Sequence, residues 1–128
     1  MDSHDIGIQD LDELIARMQA VTGENFEPLR QGAGGGTWPE YDEAVLSFYA
    51  AAARDCWTDP DYDPETAAIS LADPETIRTA PLERIKTILT YCQRGERFCD
   101  GHWAAMIKNG TIRSLLERLE AIRSHWPV

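Results

Sequence analysis

The sequence predicts an all-α protein, an orthogonal bundle of five to seven helices in a single domain. Three observations lead there. Each long patterned stretch repeats its apolar residues at three and four positions, the spacing of one helix face. No stretch sustains the alternation of β-branched and polar residues that marks a half-buried strand. The 128 residues, 43% of them hydrophobic, suffice for one core and leave no room for a separate cofactor domain.

The first helix is expected over residues 10–22. Asp10-Leu11-Asp12-Glu13 has the form of a capping box, with an N-cap oxygen and a carboxylate three residues on. Leu11, Leu14, Ile15, Met18 and Val21 then make one apolar stripe, and Gly23 follows it. Residues 1–9 are expected to be disordered, and residues 23–37, ending in Gly32-Ala33-Gly34-Gly35-Gly36, to form a flexible loop. That loop is no phosphate-binding loop, because no Lys-Ser or Lys-Thr closes it and nothing before it reads as a strand.

Pro39 fits the first turn of a second helix over residues 39–56, whose stripe is Tyr41, Val45, Phe48, Tyr49, Ala52 and Cys56. Asp63-Pro64-Glu65-Thr66 then recurs as Asp73-Pro74-Glu75-Thr76, with Asp59-Pro60 before both. An Asp followed by Pro is an N-cap followed by a first-turn proline, so two short helices are predicted over 64–71 and 74–80. Pro81 opens a longer helix with Leu82, Ile85, Ile88, Leu89 and Cys92 on its apolar face and Glu83, Arg84 and Lys86 off it. Gly95 is expected to end it and to reverse the chain in the left-handed conformation. Asp100 should cap a short helix over 101–109, closed by Asn109-Gly110. Thr111 should cap a last helix striped by Ile112, Leu115, Leu116, Leu119, Ile122 and Trp126.

Charge is unevenly distributed. The chain carries 22 acidic and 12 basic residues, a net charge of −10; residues 1–80 hold 17 acids and 4 bases, residues 81–128 hold 5 acids and 8 bases. The balance excludes a generally cationic coat, so no direct nucleic-acid binding is expected. The simplest use of the asymmetry is self-complementarity, within the fold or across a dimer. Three cysteines, Cys56, Cys92 and Cys99, form an odd set; the start Met1-Asp2-Ser3-His4-Asp5 is acidic, and no apolar run approaches a membrane span. A cytoplasmic, reducing setting without a disulfide framework or membrane insertion is the expectation.

Chemistry-bearing groups crowd into Tyr91-Cys92-Gln93-Arg94-Gly95-Glu96-Arg97-Phe98-Cys99-Asp100-Gly101-His102-Trp103. Arg94 and Arg97 supply planar forks for a carboxylate or phosphate, and the start of the next helix adds backbone donors. Glu96, Asp100, His102 and Trp103 complete a candidate ligand-binding corner. His102, with Glu96 or Asp100 fixing its tautomer, could instead transfer protons in a small hydrolase or transferase. Cys92, Cys99 and His102, with Cys56, do not have a recognised zinc spacing, so no metal and no cofactor are implied. An ion pair of Arg97 with Asp100 and a packed His102 would make the same corner purely structural.

The string Arg94 to Trp103, with Gly110 and Leu116-Glu117-Arg118-Leu119, resembles a family of small bacterial and archaeal proteins known only as a domain of unknown function. The resemblance reaches upstream to Trp38-Pro39-Glu40-Tyr41, Trp57, Tyr62 and Leu89-Thr90, covering about residues 38–120, with the N-terminal helix more loosely matched. It implies a stand-alone cytoplasmic domain and assigns no catalytic residue.

The residues themselves point first to a module that binds an anionic small molecule or a protein partner at residues 94–103. The hydrolase or transferase is the rival from another class. A third reading is an acidic surface over the first 80 residues that mimics a phosphate backbone and occupies a nucleic-acid-binding partner.

Overall fold

A computed structural model of the chain describes residues 6–23, 26–28, 41–95 and 101–126. Among them are seven α-helices and no strand: α1 (Ile8–Val21), α2 (Glu43–Ala52), α3 (Pro64–Ala72), α4 (Pro74–Arg78), α5 (Leu82–Gly95), α6 (His102–Lys108) and α7 (Thr111–Ser124), with a 3₁₀ turn at Asp55–Trp57. The predicted all-α single-domain bundle is what forms. α1 packs on α2 and α7; α5 packs on α2, α3 and α6; α4 and α6 close onto α7.

The stripes meet in one core. Leu11, Leu14, Met18 and Val21 of α1, Val45, Phe48 and Tyr49 of α2, Ile85, Ile88, Leu89 and Cys92 of α5, and Ile112, Leu115 and Leu119 of α7 are buried together. Each fully buried aliphatic chain among them is worth roughly 1.5–3 kcal/mol of transfer free energy. The partly buried members, Ile15, Leu82, Ile122 and Trp126, lie at the flanks.

Helix starts differ from expectation in instructive ways. α1 begins at Ile8, inside the stretch expected to be disordered, because Asp10 serves from the third helical position: its carboxylate accepts the Gly7 N–H at 3.0 Å. α2 begins after Asp42, whose side chain accepts the Ala44 N–H at 2.9 Å, so Tyr41 is buried ahead of the helix. Residues 39–40 lie outside the described residues. Part of the expected flexible loop is docked: Phe26 packs on the core, and the Pro28 carbonyl accepts the Asp42 N–H at 2.9 Å.

The two Asp-Pro starts behave as the sequence predicts. Asp63 accepts from the Glu65 N–H and Asp73 from the Glu75 N–H, with Pro64 and Pro74 in the first turns. The Thr66 hydroxyl donates to Asp63 and, with the backbone donors, holds that carboxyl below its ordinary range. Its contribution to stability is therefore present above the unfolded-state value and lost as pH falls through the folded one.

Asp73 ties the caps of α3 and α4 together, so Asp73→Ala should cost about 1 kcal/mol in urea unfolding. Asp61→Ala, in the preceding turn, should be near neutral by the same measurement. Equal effects of the two substitutions would contradict the capping account.

Candidate functional site

Of the six expected corner residues, Arg94, His102 and Trp103 are among the described residues; Glu96, Arg97 and Asp100, like Cys99, lie outside them. α5 runs through Gly95 with ordinary helical backbone, and among the described residues the left-handed ones are Gly101 (φ 86°) and Gly110 (φ 89°). Gly95 is small for another reason. A Cβ there would strike the His102 imidazole, which lies against the end of α5. The ring meets Tyr91 edge-on, 5.4 Å between centroids, and its Nε2 is shielded from solvent.

Trp103 closes the corner. Its indole Nε1 donates to the Gln93 carbonyl at 2.9 Å, one of the acceptors a helix end leaves over. Its ring stacks on Tyr49 at 4.4 Å and tilts against Tyr41 at 5.2 Å. Arg94 turns to a third neighbour, its guanidinium 5.3 Å from the centroid of the Tyr62 ring. The three described corner residues thus each have their own aromatic contact; His102 and Trp103 pin α6 onto α5, while Arg94 meets the segment before α3.

Two further cap assignments change. Gly101, not Asp100, is the residue flanking α6, and Gly110 flanks α7. Thr111 is the first residue of α7, and the Asn109 side chain accepts its N–H at 3.0 Å.

An opening lies toward the other end of α5. The segment 58–62 runs beside that helix and is clasped to it. The Thr90 hydroxyl, 2% exposed, accepts the Asp59 N–H at 2.9 Å and donates to the Lys86 carbonyl at 2.8 Å. The Asp59 carboxylate accepts from the Thr87 hydroxyl at 2.7 Å and from the Asp61 N–H at 3.0 Å. Between this segment, α3 and the start of α5 is a groove of about 440 Å³ lined by Thr58, Asp59, Pro60, Thr66, Ser70, Pro81, Glu83, Arg84, Lys86 and Thr87. Arg84 is steadied there by donating from Nη1 to buried Ser70 at 3.1 Å. Lys86 is half-buried and has no side-chain hydrogen bond or ion pair among the described residues.

Sequence reading placed Arg84 and Lys86 merely off the apolar face. The available signal was Asp59-Pro60 together with two threonines three apart on one helix, but nothing in the chain announces their pairing across about thirty positions.

A second hollow of about 510 Å³ lies among Val21, Phe26, Ile107, Lys108 and Arg113. Its cations are occupied: Lys108 faces Glu27 at 3.8 Å and Arg113 donates to the Thr22 carbonyl. Acids of the first half are spent in the same way. Asp12 accepts from Arg123 at 2.7 Å, Glu13 pairs with Arg54, and Asp42, Asp63 and Asp73 cap helices.

Cys92 is fully buried in the α5 stripe, and desolvation pushes its thiol up to about 12. Cys56 is also raised, chiefly by burial. Thiolate is the form that binds metal or attacks electrophiles, so this environment fits a small hydrophobe. No cluster of three or more His, Cys, Asp or Glu with metal-binding geometry occurs among the described residues, and none of their helices is long and apolar enough to cross a membrane.

Ala at an ordinary helical glycine gains up to about 1 kcal/mol. Gly95→Ala should instead destabilise by about 1–3 kcal/mol through overpacking, and His102→Ala should restore much of the loss in the double variant. A more stable Gly95→Ala protein would remove the packing explanation. Iodoacetamide at mildly alkaline pH should leave Cys92 unmodified until denaturant is added; modification of the folded chain, read by peptide mass, would contradict its burial.

No curated protein and no solved structure matches this chain. Residues 7–125 match one family, a span that includes α1 and every later helix, and extends on both sides of the stretch carried by the Arg94–Trp103 motif. On that match the chain belongs to DUF6508, a family of unknown function.

Proposed function

We propose that the protein is a binding module for a small anionic molecule and that the groove between α3 and α5 receives it. The observation that carries this reading is Lys86, a half-buried residue lining a 440 Å³ opening, beside an arginine already oriented by Ser70. The Nη1 bond to Ser70 leaves Nε and Nη2 of Arg84 for a ligand, and a guanidinium so held loses little freedom on binding. The volume suits a ligand of metabolite size. This reading puts an anion clamp on α5 at the groove, apart from the corner, where Arg94 lies over Tyr62 and where Glu96, Arg97 and Asp100 lie outside the described residues. Work in the cytoplasm is part of this reading, supported by the odd cysteine count and a buried thiol.

Proton transfer by His102 would need Glu96 or Asp100 beside it, and both carboxylates lie outside the described residues. Phosphate mimicry would need rows of uncommitted acids, whereas many acids of the first half cap helices or pair with arginines.

Titrating phosphate or citrate into ¹⁵N-labelled protein should shift amide signals of residues 58–60, 66–70 and 83–87. Lys86→Met should weaken the binding about tenfold or more, the scale of one charge-assisted hydrogen bond. Shifts located elsewhere, or an affinity unchanged by Lys86→Met, would overturn the assignment.

A further inference from the structure

We infer that the ligand of the α3–α5 groove is a polyol bearing an acidic group, of the size of a sugar phosphate or sugar acid. The inference rests on the anion-binding reading above and adds the chemistry of the rest of the molecule. It follows from counting protons on the lining hydroxyls. A threonine hydroxyl has one proton to give and lone pairs to receive. Thr58 faces the carbonyls of Arg54 and Ala53 at 2.9 and 3.2 Å, acceptors only, so its proton is directed into the backbone. Thr66 gives its proton to the Asp63 carboxylate at 2.6 Å. Thr87 lies between the Asp59 carboxylate and the Glu83 carbonyl, again two acceptors, at 2.7 and 3.2 Å.

Three hydroxyls on the lining are therefore committed as donors to the protein and can offer a ligand only lone pairs. Glu83, exposed on the same lining, is an acceptor too. The donors left for a ligand are the two cations, Arg84 and Lys86, and the Ser70 hydroxyl, which receives the Arg84 bond and keeps its own proton. A groove with cationic donors and several oxygen acceptors, two of them the carboxylates of Asp59 and Glu83, fits a molecule with an anionic group and several O–H donors. A bare anion uses only the first set. A purely apolar acid would strip water from the acceptors and return nothing. Pro60 and Pro81 supply apolar surface for the C–H face of a polyol.

The test compares ligands that differ only in hydroxyls. Glycerol 3-phosphate, glucose 6-phosphate, gluconate, propyl phosphate and inorganic phosphate are titrated into the full chain and followed by calorimetry and amide shifts. The expected result is that at least one hydroxylated acid binds about tenfold or more tightly than both propyl phosphate and inorganic phosphate. The phosphate and carboxylate arms then tell which acidic group is preferred. Thr66→Val, and Thr58→Val should the first variant unfold, should lower the ratio of hydroxylated to bare anion affinity. Equal affinity for glycerol 3-phosphate, glucose 6-phosphate, gluconate, propyl phosphate and inorganic phosphate would overturn the polyol inference and leave the anion reading standing. Absence of binding by every acid at the groove would overturn both.

Discussion

The Thr90 hydroxyl, buried in the side of α5, must be satisfied by protein because water does not reach it. Its partners are the Lys86 carbonyl and the Asp59 amide. That requirement fixes the 58–62 segment against α5, and Thr87 fastens the same aspartate a turn earlier on the helix. Once the segment is fixed, the groove wall, the position of Lys86 relative to α3, and the approach of Tyr62 to Arg94 follow. The site is thus a consequence of backbone docking, and it stands on a rigid helix that the core holds through Ile85, Ile88, Leu89 and Cys92.

The basic residues of the last third have a division of labour. Arg113 and Arg118 donate to the carbonyls of Thr22 and Ala80, Lys108 and Arg123 pair with Glu27 and Asp12, and Arg94 covers Tyr62. Two ion pairs, Lys108–Glu27 and Arg123–Asp12, join the acidic part of the chain to the basic part. Exposed pairs of this kind add little stability individually. They do restrict which cations remain available to a ligand, and among the described residues Lys86 is the one Lys or Arg of the last third without a hydrogen bond, ion pair or ring contact of its own.

Helix existence was legible because apolar spacing is local: the stripes of α1, α5 and α7 are buried as their sequence spacing required. The Asp-Pro caps of α3 and α4 were legible for the same reason, since Asp63 and Asp73 bond amides two residues away. Starts were misplaced where an acid bonds the cap from the third helical position, as with Asp10, or where a buried aromatic precedes the helix, as with Tyr41. Gly95 looked like a left-handed turn residue; the reason for its missing side chain is the His102 ring, a contact across the corner. The candidate site was the least legible part. Polar density drew attention to residues 94–103, whose described members pack against Tyr62, Tyr91 and Tyr49. The groove instead depends on bonds spanning 28 and 31 residues, for which sequence offers no periodicity.

Native-state hydrogen exchange of the Asp59 amide tests the central claim most directly. If the clasp to Thr90 is a fixed part of the fold, that amide should exchange as slowly as the amides of Ile88 and Leu89, through the same global opening. Exchange orders of magnitude faster than α5, with the helix itself still protected, would mean that the segment lifts freely and that no preformed groove exists.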